Sequence, residues 1–198
     1  MSVEPDDVVA VWDAEALVFD EEAHHSLADP VMRAAWWDVL APLLPPPPAS
    51  IADLGCGTGT LAVLLAEHGY DIVGLDLSPR MLGLARAKAE RHHVAVRFEI
   101  GDAADPRIPA VDVILTRHVL WALPEPGRAL ERWTGLLRPR GRLVLVEGVW
   151  STGAGIDADR VRTLVPASLS DVVVLDLPDP TLWGHVLVDS RYLLVARS

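Results

Sequence analysis

Residues 52–61, ADLGCGTGTL, decide how the rest of the chain is read. They follow four consecutive prolines at 45–48 and hold Gly55, Gly57 and Gly59 within five positions. The short apolar run SIADL leads into them, and residues 58–68 carry Leu61, Leu64, Leu65 and His68 on one helical face. A glycine-rich turn from a strand into a helix aims helix-start N–H groups at a ligand, and the glycines let that ligand approach the backbone. Glycine at every second position is not the G-x-G-x-x-G spacing of a dinucleotide site, because Thr60 stands where its third glycine would fall. Asp53, two residues before Gly55, adds an acid to the turn.

Outward from this turn, short apolar runs alternate with amphipathic ones. DIVGLDL (71–77) reads as a second strand, and Ser78-Pro79 opens a helix bearing Met81, Leu82, Ala85 and Ala89. VAVRFEI (94–100) is a third strand and VDVILT (111–116) a fourth; a helix is expected from about 125 to 138 with Leu130, Trp133 and Leu137 inward. RLVLVEG (142–148) is a fifth strand. Strands alternating with helices predict parallel β-α-β units in one sheet covered on both faces. DVVVLDL (171–177) and RYLLVARS (191–198) have no long helix between them and read as an antiparallel pair at one edge, making seven strands. Upstream, Asp29-Pro30 is a helix start, and Val31, Met32, Ala35, Trp36, Val39, Leu40 and Leu43 recur at helical spacing until the prolines stop the helix. The expected organisation is a single domain, 1–198, with an N-terminal helical cap at 1–44 and an α/β core at 49–198.

Two more acids fall at strand ends. Asp76, with Leu77 after it, closes the second strand 17 residues beyond Gly59, where a carboxylate in this topology accepts hydrogen bonds from both hydroxyls of a ribose. Asp102 and Ala103 follow the third strand in a GDA turn. Open α/β sheets bind ligands at the carboxyl edge of their strands, so ligand-type features at three successive strand ends point to one nucleotide-like ligand.

On these residues the chain resembles the class I S-adenosylmethionine-dependent methyltransferases, and within them the small type 11-like branch. The matching stretches are DLGCGTG (53–59), the acid of GLDLSPRML (74–82), the GDA turn, LTRHVLWAL (115–123) and LRPRGRLVLVEG (137–148). WDAEALVFD (12–20) is similar to a segment that folds over the cofactor in this branch, with Trp12 and Phe19 in place of tyrosines. The resemblance implies a doubly wound, Rossmann-like seven-stranded sheet in the order 3-2-1-4-5-7-6 with strand 7 antiparallel. It implies S-adenosylmethionine as cofactor and S-adenosylhomocysteine as product. It further implies that Gly55, Gly57 and the Cys56 backbone line the methionine end and that Asp53 orients the amino group. By the same resemblance Asp76 takes the ribose, Asp102 with Ala103 meets the adenine, and Arg117 lies near the methyl-bearing sulfur.

Several residues carry two readings. His118 sits just beyond strand four, and an imidazole titrating near ~6.5 suits a general base; a helix-start histidine bonded to backbone has the same pattern. Aromatic faces stabilise a sulfonium, so Trp12, Phe19 and Trp121 serve either that role or core packing. Arg33 either pairs with the cofactor carboxylate or lies solvated. His24 and His25 are adjacent without an H-E-x-x-H or C-x-x-C partner, so no metal site is expected. Cys56 lies in the glycine loop away from any base and is not expected to be a nucleophile.

Composition sets the outer bounds. At 51% hydrophobic and 23% charged, 198 residues suffice for one buried core. A net charge of -11, from 17 basic against 28 acidic residues, repels polyanions and argues against a nucleic-acid partner. The one local basic run, RPRGR (138–142), reads as a helix C-terminus. No apolar run approaches the roughly 18 residues needed to span a bilayer, no leader is evident, and the single Cys56 suits a reducing compartment, so a cytoplasmic protein without a membrane partner is expected. About 20 residues separate strands five and six, room for one short helix and the loop WSTGAG (150–155) rather than a substrate domain, so the acceptor is expected to be bounded mainly by the N-terminal helices and that loop. The expected activity is methyl transfer to a nitrogen or oxygen of a small-molecule acceptor or an exposed chain end. Two alternatives stand beside it: an S-adenosylmethionine-binding regulatory protein without turnover, and a nicotinamide-dependent oxidoreductase.

Overall fold

The computed structural model describes residues 5–198, so the first four residues of the expected cap lie outside the described residues. Its centre is β1 (Ser50–Leu54), whose side chains serve two cores: Ile51 packs into one, Ala52 and Leu54 into the other. On one side lie β2 (Asp71–Asp76) and β3 (Arg97–Ile100); on the other lie β4 (Val111–Arg117), β5 (Leu137–Val149), β7 (Ser190–Arg197) and β6 (Ser170–Asp176). The order is β3-β2-β1-β4-β5-β7-β6, with β7 antiparallel to both neighbours and the other pairings parallel. This is the doubly wound, Rossmann-like sheet expected from the sequence. The chain leaves β1 toward β2 and β3 and then returns to β4 on the other flank. That reversal opens a crevice at the carboxyl ends of β1 and β4.

Helices cover both faces. The cap supplies α1 (Pro5–Glu15), the single turn α2 (Ala23–Ser26) and α3 (Pro30–Leu40); the core supplies α4 (Thr60–Glu67), α5 (Pro79–Arg91), α6 (Pro126–Gly135) and α7 (Ala158–Leu164). Their starts follow local chemistry. Asp29 accepts from the Val31 N–H at 2.8 Å with Pro30 in the first turn, and Ser78 accepts from the Met81 N–H at 3.0 Å ahead of α5. Met32, Trp36 and Leu40 form the buried stripe of α3. Three indoles anchor the two cores, and each gives its N–H to a carbonyl: Trp36 to Leu182 at 2.9 Å, Trp183 to Leu177 at 2.9 Å and Trp133 to Ala103 at 2.7 Å.

Four boundaries differ from the sequence reading. The third strand begins at Arg97, because only residues 97–100 lie opposite β2; Val94 and Val96 pack against the core from the preceding turn. The helix expected to 138 ends at Gly135, since Leu137 already pairs with Val111 as the start of β5. RPRGR is therefore strand, not a helix C-terminus, and two of its three arginines are engaged locally: Arg138 pairs with Asp112 at 3.1 Å and Arg142 donates to the Leu43 carbonyl. The helix after the glycine loop begins at Thr60 instead of Thr58, behind Gly59 at φ 73°. No helix among the described residues is long and apolar enough to cross a membrane.

Candidate active site

A cavity of about 540 Å³ occupies the crevice. Asp53, Gly55, Cys56 and Gly57 line it from β1 and its loop, Asp76 and Leu77 from β2, Asp102 and Ala103 from beyond β3, and Arg117 and His118 from β4. Trp12, Phe19 and His25 close it from the cap. The structure thus brings together every residue singled out in the sequence for this site except Arg33. That side chain points to α4, where it pairs with Glu67 at 2.5 Å, and it does not line the cavity.

The glycine loop is held by its neighbours. The Gly55 and Cys56 N–H groups both donate to the Leu75 carbonyl, at 2.7 and 2.9 Å. Asp76 accepts from the Gly57 N–H at 2.8 Å with one oxygen and from the Ser78 N–H at 2.9 Å with the other. Each carboxylate oxygen keeps a second lone pair free for a ligand hydroxyl. Gly55 adopts φ 68°, and a Cβ there would stand 2.5 Å from a Val119 methyl, so the close approach requires glycine.

Burial dominates the electrostatics. It pushes the Asp53 carboxyl up to about 7, against the opposing Arg117 charge and with help from Asp76. Arg117 is lowered to about 10 by the same desolvation, with Asp53 and Asp20 acting the other way. Its guanidinium donates to the His24 carbonyl at 2.9 Å and lies 5.3 Å from the Trp36 ring centre. Burial, then Asp53 and Asp76, raises the Cys56 thiol, so it stays protonated.

The cap is tied to this floor by polar bonds outside the cavity. Lys88 of α5 donates to Thr58 at 2.9 Å and Thr60 at 2.5 Å and pairs with Asp20 at 3.0 Å; Thr58 in turn donates to Asp20 at 2.6 Å. Thr60 donates to the His25 carbonyl at 2.6 Å, and the His25 ring stacks on Phe19 with centroids 4.0 Å apart. Asp13 of α1 accepts from the Ser78 hydroxyl at 2.5 Å and the Arg80 N–H at 3.2 Å.

The far end of the cavity is aromatic. Trp121 and Trp150 contact each other with ring centroids 5.2 Å apart, and His118 lies 5.1 Å from Trp150. His118 has φ 61°, and both its ring nitrogens are buried without a hydrogen-bond partner. Burial foremost, then the charges of Arg117 and Arg191, holds the imidazole well below its ordinary range. The lowered basicity of His118 and the burial of both its ring nitrogens favour a place in the wall over general-base work. Glu147 at the end of β5 accepts from the Val119 and Leu120 N–H groups, at 3.0 and 2.6 Å, and so shapes the segment that carries Trp121.

Lys88, Trp150 and Glu147 escape the sequence reading. Lys88 had a signal, a cation on the apolar stripe of Met81, Leu82, Ala85 and Ala89, and Glu147 had another, an acid inside an apolar strand. Trp150 opens the WSTGAG loop that the sequence places beside the acceptor, but no periodicity singles out its side chain.

Known proteins share this architecture. Residues 52–145 match a family model described as a methyltransferase domain. An uncharacterized methyltransferase of Mycobacterium tuberculosis is 34% identical over 166 residues, 76% of this chain and 62% of that one. The chain spans from about half to under two thirds of the length of such curated relatives. Among solved structures, the [4+2]-cyclase SpnF superposes with a TM-score of 0.82 at 19% identity, over 100% of this chain and 97% of that one. Magnesium protoporphyrin IX methyltransferase from Synechocystis PCC 6803, solved with bound S-adenosylmethionine, gives a TM-score of 0.74 at 20% identity over 100% and 99%.

Proposed function

We propose that the chain is a class I S-adenosylmethionine-dependent methyltransferase, which the methyltransferase family model over residues 52–145 and the methyltransferase relatives support, and that it binds S-adenosylmethionine in the crevice and methylates a nitrogen or oxygen of a small-molecule acceptor. The observation that carries this reading is the convergence of Asp53, the glycine loop, Asp76 and Asp102 on one cavity. The donor set suits the group. Asp76 offers acceptor lone pairs for ribose hydroxyls, Gly55 leaves a cradle that any Cβ would fill, and Asp53 offers an acid for an amino group.

When bound, the cofactor supplies a methyl group already activated by its positive sulfur. The protein's own work is then positional: the loop and Asp76 set the donor end, the cap residues Trp12, Phe19 and His25 exclude water, and the aromatic wall orients the acceptor. His118 serves in that wall, and the proton that the acceptor gives up as it gains the methyl group passes to solvent.

Calorimetric titration with S-adenosylhomocysteine and with NAD tests the reading. Binding of the first without the second is expected; the reverse would assign the crevice to a nicotinamide cofactor. Because the same fold supports a cyclase, product must also be found by mass spectrometry as a gain of one methyl on an acceptor. Cofactor binding without such a product from any acceptor would favour the non-catalytic alternative.

A further inference from the structure

Resting on the methyl-transfer reading, we infer that the acceptor is a flat aromatic molecule without an anionic group, seated against the Trp121 and Trp150 rings beneath an acidic rim on the cap. The tryptophans of this chain divide by environment. Trp36, Trp133 and Trp183 are at most 1% exposed and belong to the cores, and Trp37 stacks on His68; Trp12, Trp121 and Trp150 are only partly buried and line the cavity, Trp12 from the cap and the other two in contact with each other. The Trp121 N–H is already given to the His118 carbonyl at 3.0 Å, so this indole offers the cavity its π surface and no donor.

The wall is built before any ligand arrives. Gly155 packs behind Trp150 so closely that a Cβ would stand 2.6 Å from the ring, and the Arg191 guanidinium lies 4.9 Å from the ring centre without lining the cavity. Rings held from behind lose little freedom on binding, and an aromatic partner gains offset or edge contacts beyond its buried area. An aliphatic acceptor of equal volume gains only the area.

Charge supplies the second half of the argument. Glu15, Glu21 and Glu22 line the same cavity from the cap, and Asp102 lines it at the other end. Among the described residues Arg117 is the one Lys or Arg side chain in the lining; it already bonds the His24 carbonyl and feels the Asp53 charge. His25 is held down to about 4 by burial and by Arg117, so it adds no cation at neutral pH. A carboxylate or phosphate on the acceptor would meet like charge at the rim, whereas an ammonium would be drawn to both the acids and the ring faces.

The test uses protein saturated with S-adenosylhomocysteine and three probes: tyramine, 4-hydroxyphenylacetate with the same ring but a carboxylate, and cyclohexylethylamine with a saturated ring. Tyramine is expected to bind at least about tenfold more tightly than either of the others. Trp150→Ala should weaken tyramine by about tenfold while S-adenosylhomocysteine affinity stays within about twofold. Glu21→Gln combined with Glu22→Gln, both at exposed positions, should narrow the gap between amine and carboxylate to under about threefold and keep the ring preference. Equal binding of the carboxylate or of the saturated ring overturns the inference, as does binding of none of the probes to protein that holds S-adenosylhomocysteine. Absence of S-adenosylhomocysteine binding overturns both this inference and the methyl-transfer reading beneath it.

Discussion

The Lys88 ammonium lies 3.0 Å from the Asp20 carboxylate, and this contact ties the body of α5 to the cap as Asp13 ties its start. With its bonds to Thr58 and Thr60, a side chain only 5% exposed fixes the glycine loop, the start of α4 and the cap together. Lys88→Met leaves the Asp20 carboxylate with the Thr58 hydroxyl but no counter-charge, and takes the donor from the Thr58 and Thr60 oxygens, a loss on the order of 2–4 kcal/mol. A lower melting temperature, weaker S-adenosylhomocysteine binding and faster amide exchange at residues 19–26 are expected. Exchange at those residues equal to that of the parent protein would show that the contact does not hold the cap.

Asp76→Ala removes two acceptors from the loop and, on the proposed reading, the partner of the ribose hydroxyls. Cofactor affinity should fall by on the order of 2–4 kcal/mol, measured by calorimetry. Unchanged affinity would place the ribose elsewhere.

On the proposed reading, Asp53 makes cofactor binding depend on pH. Its carboxyl is pushed up to about 7, so below that pH it is largely protonated and offers little to an amino group. Affinity for S-adenosylhomocysteine should therefore rise with pH toward a plateau above about 7, and Asp53→Asn should flatten the profile. A slope that persists in the variant would assign the titration to another group.

Glu147 acts on stability through the same physics. Burial pushes its carboxyl up to about 8, against the amides of Leu120 and Val119. Between the ordinary value of ~4.3 and about 8 the folded state holds a proton that the unfolded chain releases, so stability falls as pH rises through this window. Glu147→Gln keeps an acceptor for both amides and removes that dependence. Its melting temperature should decline less between pH 5 and pH 8 than that of the parent protein, by scanning calorimetry; an equal decline would contradict the assignment.

Gly55→Ala meets two obstacles, the Val119 methyl 2.5 Å from the new Cβ and the backbone at φ 68°. Val119→Ala removes only the first. The single variant should lose cofactor binding, and the double variant should recover only part of it, since a left-handed alanine still costs about 1 kcal/mol.

Features written in one segment of chain were legible. The glycine loop, the Asp29 and Ser78 caps and the alternation of strands and helices all follow from local rules; the sheet order comes from the family resemblance. Arg33 was not legible, because its partner Glu67 lies 34 residues on, and which face of α3 meets α4 is a packing outcome. RPRGR misled because helix and strand meet there within two residues, and the pairing of Leu137 with Val111 outweighs the helix-end composition.

By itself the sequence determined the alternation of strands and helices, with an acid at the ends of β1 and β2 and another just beyond β3, the features that the proposed function reads as the donor side. Glycine's tolerance of left-handed backbone and the two-residue period of strands are properties of neighbouring residues. Only the tertiary structure decided the acceptor side. Trp121 joins Trp150, Asp20 finds Lys88 across 68 residues, and His118 turns its nitrogens away from solvent. Those outcomes depend on how separate elements pack, and side-chain direction at a contact is set by the volume and charge of what arrives from the other side.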